Sequence, residues 1–453
     1  MAQEAILRGS LQTQGSVRLL DANQYRRWVD NLTAPLFKSM NTSLSDNAIA
    51  QHAHGSGKLA ALRKANPKNY GLDLFWRHRW QESPFPGAFF ISVPWHDLFE
   101  CIGSCSWSVP KKMAALGKIW NEKLDWSRPH FIALNQVYPS MVFQQSEGRV
   151  NLSRPKLRIF DSRLEAFEDL VCRFSPGYKG HSSVPRLPLP RIPIPLFHWP
   201  PTQDHAASQR CEGAARTLQL AFRGTCDNGD RSHRAQIVQH LVQQNLPGRD
   251  LNCTRARLGT FTRLLCSAEW TLTPSGTCAP TFMIYEALHF GSLPMYVYKA
   301  SALMSRRLHW NCNPRSHGNR LPAEKLDTVL PFHDEGVRFS SFGKVVIVPQ
   351  PEGKASQARE HEAFSQAMEE VATFTKISNY SQRRVVLDAV KHYFTPNGTW
   401  SYMLRHIRRW QADERLAIAA GGDASSALNM TNITTLFNVT GSTLMRQSAF
   451  EEP

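Results

Sequence analysis

Short apolar runs, too short for helices and separated by amphipathic stretches, constrain this chain more than any other feature. Ala88–Val93, His130–Leu134, Thr217–Phe222, Trp270–Thr273, Leu293–Tyr298 and Val345–Val348 are each four to six residues long, and most of them are apolar on both faces. A strand that is apolar on both faces must be covered on both, which is the condition of a parallel sheet packed between helices. The intervening segments supply the helices. Lys111–Trp126 follows the first run, and Arg231–Asn245 places Ile237, Val238, Leu241 and Val242 on one face. Pro280–Phe290 reads as a third helix, with Gly291 positioned as a left-handed C-terminal cap. Strand, helix and strand in repeated order predict an α/β fold.

The alternation occurs in two blocks. A proline-dense run, Val184–Pro195, divides them, and its alternating Leu and Ile residues point to a packed extended segment rather than to a ligand for a proline-recognising module. The organisation expected is an N-terminal extension of mixed helical pattern and loops over 1–84, a first Rossmann-like domain over 85–205 ending in the proline-dense linker, a second over 206–410, and a mostly disordered tail over 411–453, where Ala, Gly, Ser, Thr and Asn dominate. At 453 residues, with 42% hydrophobic and 10% aromatic content, the chain can bury two cores.

Lys and Arg number 53 against 37 Asp and Glu, a net charge of +16. That balance implies an anionic partner. The charge is dispersed, the densest group being Arg405, His406, Arg408 and Arg409, whereas a nucleic-acid footprint is concentrated on one face. No stretch has the uninterrupted apolar length of a membrane span. The run His52–Lys58 lacks the first glycine and the closing Ser/Thr of a P-loop, and Cys101 and Cys105 lack the second ligand pair of a zinc site. Nine Asn-x-Ser/Thr acceptors, at Asn31, Asn41, Asn151, Asn252, Asn379, Asn397, Asn429, Asn432 and Asn438, stand against about three expected by chance from 20 asparagines. This excess predicts a lumenal, glycosylated protein, with an anchor encoded upstream of the sequence as given.

The chemistry concentrates in Ser267–Pro294. A strand ends at Pro274-Ser275-Gly276 and a helix opens at once near Thr281, so free backbone N–H groups and the positive end of the helix dipole stand at the carboxyl edge of the sheet. Gly276 permits close approach of a phosphate, and Glu286, farther along the helix, is placed to accept hydrogen bonds from ribose hydroxyls. Upstream, Arg223 and Gly224 leave the preceding strand, with Arg231 and Arg234 on the helix that follows. In the first block His96 and Asp97 stand at the carboxyl end of a strand and are candidates for a base.

The order Pro274-x-Gly276, Tyr285-Glu286-Ala287-Leu288, Gly291-x-x-Pro294 resembles the exostosin family of glycosyltransferases, family 47. Ile284–Ala287 and Gly291–Pro294 also look like ribitol xylosyltransferase. Leu220–Gly224 with Arg231 and Arg234 is similar to that family's Phe-x-Gly strand and downstream arginine, and Phe89-Phe90, Val93-Pro94, Trp126 and His130-Phe131 to its N-terminal half. The resemblance covers roughly 85–400 and is strongest over 217–298. It implies a GT-B architecture, two Rossmann-like domains facing across a cleft, with 85–205 as the acceptor domain and 206–410 as the nucleotide-sugar domain. It also implies transfer from a nucleotide sugar, a UDP-sugar by expectation, to a glycan or glycoprotein acceptor. Transfer would proceed with inversion and without a metal or other cofactor, in the Golgi lumen, and no nucleic-acid partner is expected. Arg223, Gly224, Arg231, Pro274, Ser275, Gly276, Thr281 and Glu286 would hold the donor. The chain departs from the family at Met283, where Arg is usual, and at Thr281, where Ser is usual. The departure at Met283 keeps an alternative open, an inactive family member that binds glycan or a partner enzyme; a basic nucleic-acid-binding protein is a third reading, resting on charge alone.

Overall fold

The computed structural model describes residues 20–38, 71–95, 109–135, 139, 156–164, 166–167, 191–197, 211, 213–226, 231–244, 246–254, 258–275, 281–298, 323–348 and 357–419. In chain order its elements are helices α1 (Ala22–Lys38) and α2 (Gly71–Glu82), strand β1 (Phe89–Phe90), helix α3 (Val109–Lys118) continuing as a π-helical turn over Ile119–Lys123, and strands β2 (His130–Leu134), β3 (Leu157–Asp161) and β4 (Arg191–Pro193). Then come β5 (Leu218–Arg223), α4 (Arg231–Gln243), β6 (Arg249–Asn252), α5 (Leu258–Ser267), β7 (Ala268–Pro274), α6 (Phe282–His289) and β8 (Leu293–Tyr298). The chain continues through α7 (Ala323–Asp327), α8 (Phe339–Phe342), β9 (Lys344–Ile347), α9 (Gln357–Ile377), α10 (Tyr380–Val390) and α11 (Pro396–Ala419).

This is a mixed α/β protein with two all-parallel sheets. The first has strand order β1-β2-β3-β4 and the second β6-β5-β7-β8-β9. The two-sheet plan expected from the alternating runs is the one observed, and β2 and β8 have the bounds read from the sequence. The chain divides into two compact units, Met1–Leu404 and Arg405–Pro453, and both sheets belong to the first.

One expectation is corrected and another is filled in. Helix α11 runs to Ala419, so 411–419 are helical, not disordered; Trp410, Ile418 and the charged residues between them suit a helix better than the bulk composition of 411–453 suggests. The segment before residue 85 is also more than an extension. In α1, Tyr25, Val29 and Leu36 recur on one face and join Phe89, Ile91, Ile132 and Leu134 in one buried cluster. The helix opens on a capping box: Asp21 Oδ1 accepts from Gln24 N at 2.8 Å while Gln24 Oε1 accepts from Asp21 N at 3.0 Å.

Strand β4 lies inside the proline-dense run. Proline is tolerated there because β4 is an edge strand of the first sheet, and Ile192, Ile194, Leu196 and Phe197 are buried. Helix α6 ends in a Schellman motif, with Ser292 N donating to Ala287 O at 2.9 Å and Gly291 N to Leu288 O at 3.1 Å. Gly291 has φ +72°, and a Cβ there would overlap the Arg384 guanidinium.

Among the described residues the disulfides are Cys211–Cys266 and Cys226–Cys253. Among the described residues no helix is long and apolar enough to cross a membrane.

Candidate functional site

In the second sheet the chain leaves β5 for β6 on one side and returns to β7 on the other, so β5 and β7 are neighbours whose following connections diverge. At such a switch point the loops leave the carboxyl edge in opposite directions and open a crevice in which α/β proteins bind ligands. The residues there are Arg223 at the end of β5 with Gly224 and Thr225 after it, and Pro274 at the end of β7 with Ser275 after it.

Parallel register places Leu220 beside Trp270 and Ala221 beside Thr271; continued by two residues, Arg223 stands beside Thr273 on the same face. Arg223 Nη2 donates to both oxygens of Asp250 on β6, at 2.9 and 3.0 Å. Its Nε is buried and has no hydrogen-bond partner among the described residues, and neither has the Thr273 hydroxyl, which is fully buried. A donor and a hydroxyl, both desolvated and unsatisfied on adjacent strands, carry a free-energy cost that a bound polar group would remove.

Arg234, on α4, has a different part. Its Nε donates to Ser275 O at 3.1 Å, Nη1 to Thr225 O at 3.3 Å and Nη2 to Pro274 O at 3.3 Å. One guanidinium therefore ties the loop after β5 to the loop after β7, across the switch point. The Cys226–Cys253 disulfide fixes the same loop to the end of β6, and Ser275 N is held by Val297 O of β8 at 2.8 Å. The edge is held together by contacts from four strands, β5 to β8.

Helix α6 enters next. Thr281, 8% exposed, is its N-cap in extended conformation, yet its side chain makes no capping bond. The helix buries Ile284, Tyr285, Ala287 and Leu288. Met283 and Glu286, both half-buried, are three residues apart and so share the other face. That face meets β5: a Cβ built on Gly224 would stand 3.3 Å from Met283 Cε and 3.2 Å from Phe222 Cζ. Any side chain at 224 would have to push Met283 or Phe222 aside by a few tenths of an ångström, and Glu286 lies one turn beyond Met283.

Of the residues singled out in the sequence, Arg223 ends β5 with Gly224 after it, Pro274 ends β7 with Ser275 after it, Thr281 caps α6, and Glu286 lies on α6 one turn beyond Met283. Gly276, His96 and Asp97 lie outside the described residues, and for Arg231 only the backbone, at the start of α4, is described. Thr273 was not singled out by sequence, since a threonine in an apolar strand has no distinguishing pattern. Among the described residues no group of three or more His, Cys, Asp and Glu is placed to hold a metal ion.

No protein-family model matches the chain, and no curated protein matches it. Eight chains of solved structures do. One, from a crystal structure of the GtfA/B complex, is 10% identical with a TM-score of 0.32, and the match covers 75% of this chain and 61% of that one. The chain therefore spans less than two thirds of that neighbour's length. The fold class stands on the two parallel sheets themselves.

Proposed function

We propose that the carboxyl edge of the second sheet binds a nucleotide sugar and that the protein transfers its glycosyl group to a glycan or glycoprotein acceptor, as an exostosin-like enzyme taking a UDP-sugar. The observation that carries this reading is the unsatisfied, buried Arg223 Nε beside the unsatisfied Thr273 hydroxyl, at a switch point that also presents the uncapped N-terminus of α6. In the reaction the bond from the anomeric carbon to the diphosphate oxygen breaks as one from the acceptor oxygen forms. The acceptor proton passes to a base, for which His96 and Asp97 remain the candidates. Negative charge grows on the departing diphosphate, and a guanidinium plus free helix N–H groups stabilise it without a metal. Glu286 takes the ribose hydroxyls.

The disulfides Cys211–Cys266 and Cys226–Cys253 and the exposed acceptors Asn31, Asn379 and Asn397 support a lumenal, glycosylated protein of the secretory route, with the Golgi as its compartment. A second reading, a binding protein without turnover, is favoured by Met283, an apolar side chain packed beside Gly224 where the family places an arginine. Thermal-shift and hydrolysis measurements with a panel of nucleotide sugars test the first reading against the second. A transferase is stabilised by one donor and slowly hydrolyses it. If wild type binds none and Met283→Arg gains binding, the second reading holds.

A further inference from the structure

Helix α10 packs its inner face on the ends of α6 and α8 and leaves its outer face bare. The Tyr380 hydroxyl donates to Gly291 O at 3.3 Å, Arg384 Nη1 donates to the same carbonyl, and Arg383 Nη1 donates to Ser340 O at 2.8 Å and to Gly343 O at 3.3 Å. Leu387 is wholly buried on this side. The opposite face carries Ser381, Gln382, Val385, Val386 and Ala389, all exposed. Val385 is 71% exposed and Val386 38%, and Ile377, which ends α9 just before the corner, is 76% exposed. Three of the five exposed large hydrophobic residues among the described ones therefore fall within the single stretch 377–386. Singly scattered apolar residues are ordinary on a protein surface, whereas a cluster marks a surface that something covers.

Inside this stretch lies Asn379-Tyr380-Ser381, an N-glycosylation acceptor. Asn379 and Ser381 are both exposed. Asn379 is the N-cap of α10, its Oδ1 accepting from Gln382 N at 3.1 Å. The cap uses only the oxygen. A glycan is attached through Nδ2, so it leaves the capping bond and the start of the helix intact.

Helical spacing sets what lies beside the attachment point. Gln382 and Val386, three and seven residues on, continue the line of Asn379 along the helix, with Val385 next to Val386. At 1.5 Å per residue, Val385 and Val386 stand about 9 and about 10.5 Å from Asn379 along the axis, within reach of the first sugars of an oligosaccharide. Asn31 and Asn397, the other exposed acceptors, differ. Their Thr33 and Thr399 are wholly buried, and among the described residues no exposed large hydrophobic lies within ten positions of either asparagine.

We propose that Asn379 carries an N-linked oligosaccharide whose inner sugars cover Ile377, Val385 and Val386. Nδ2 forms a bond to the anomeric carbon of the oligosaccharide as that carbon's bond to a lipid diphosphate carrier breaks; the amide gives up one proton and the diphosphate leaves with the electron pair. The proposal rests on the reading of the chain as a lumenal, glycosylated protein.

The full chain, secreted from eukaryotic cells behind a cleavable signal peptide, is treated with peptide-N-glycosidase in heavy-oxygen water, and peptide masses show which acceptors become labelled aspartate. Asn379 should be labelled in most molecules. Two variants remove the acceptor by different means: Ser381→Ala leaves the cap untouched, and Asn379→Asp keeps a capping oxygen. Each should bind anilinonaphthalene sulfonate about twofold more than wild type and self-associate on light scattering, and adding Val385→Ser should reverse most of both changes. If one variant fails to fold, the other decides. Unlabelled Asn379 beside other labelled acceptors overturns the proposal and leaves the glycosylated-protein reading standing; no labelled acceptor at all overturns both. Variants that match wild type in dye binding and light scattering overturn the covering role. A wild-type dimer that is unlabelled at Asn379 and dissociated by Val385→Ser would give the face to a second copy of the chain instead.

Discussion

His130 opens β2 and is fully buried, and its protonation should set the acid limit of the first sheet. Its Nδ1 lies 2.7 Å from Arg128 O, which can only accept, so Nδ1 carries the proton and Nε2 accepts from the Tyr25 hydroxyl at 3.0 Å. Tyr25 in turn accepts from Asp125 N at 2.8 Å. The network is complete only with a neutral imidazole. Burial, the largest cause, pushes the His130 pKa down to about 4; its bond to the Arg128 carbonyl and nearby Asp125 oppose this, and the Arg128 guanidinium adds to it. In the unfolded chain His130 takes a proton near its ordinary 6.5. Between these values the unfolded state binds more protons, so stability is complete above about pH 6.5 and is lost as pH falls toward 4. Integrated over the window from about pH 7.5 to about pH 5, the loss from this one group is about 2 kcal/mol. Urea unfolding of wild type and His130→Gln at both pH values isolates it, because other titrating groups cancel in the difference. Wild type should lead His130→Gln by a margin that shrinks by about 2 kcal/mol at the lower pH. An equal margin at both would show that His130 does not titrate as its burial demands.

Three further outcomes concern the switch point. Arg223→Ala should cost the fold less than about 1 kcal/mol, since the Arg223 and Asp250 side chains are 25% and 31% exposed, but should lower turnover about a hundredfold; unchanged turnover would assign the diphosphate to another cation. Arg234→Ala removes three bonds to loop carbonyls and should lower the urea midpoint by the equivalent of about 2 kcal/mol while weakening UDP, measured by titration; a wild-type midpoint would mean that the loops hold without the clamp. Gly224→Val should abolish donor binding with the fold kept, read by circular dichroism and UDP titration, because its side chain must displace Met283 or Phe222; retained binding would place the donor elsewhere.

What the sequence made legible follows from where burial leaves a pattern. β2 and β8 are buried at every position, and their apolar runs mark both ends. Gly291 ends α6 as expected because a left-handed cap selects glycine so strongly. β6, by contrast, is Arg-Asp-Leu-Asn and half-exposed throughout, so no apolar run announces it, although Asp250 supplies the partner of Arg223. β3 carries a buried Arg158 that interrupts its run, and β4 lies hidden among prolines that only an edge strand accepts. At the site, the end of β7 and the start of α6 could be read because both signals are local in sequence. The clamp by Arg234 and the empty hydrogen-bonding capacity of Thr273 could not, since both depend on which groups tertiary packing brings, or fails to bring, within reach.

The central claim is that the edge formed by β5, β7 and α6 holds a nucleoside diphosphate, with Glu286 on the ribose. Calorimetric titration of UDP into wild type and Glu286→Ala tests it most directly. Binding to wild type should weaken by about 1.5 to 3 kcal/mol in the variant, roughly ten- to 150-fold in Kd, with the fold unchanged. UDP that fails to bind wild type, or binds both proteins equally, would contradict the account.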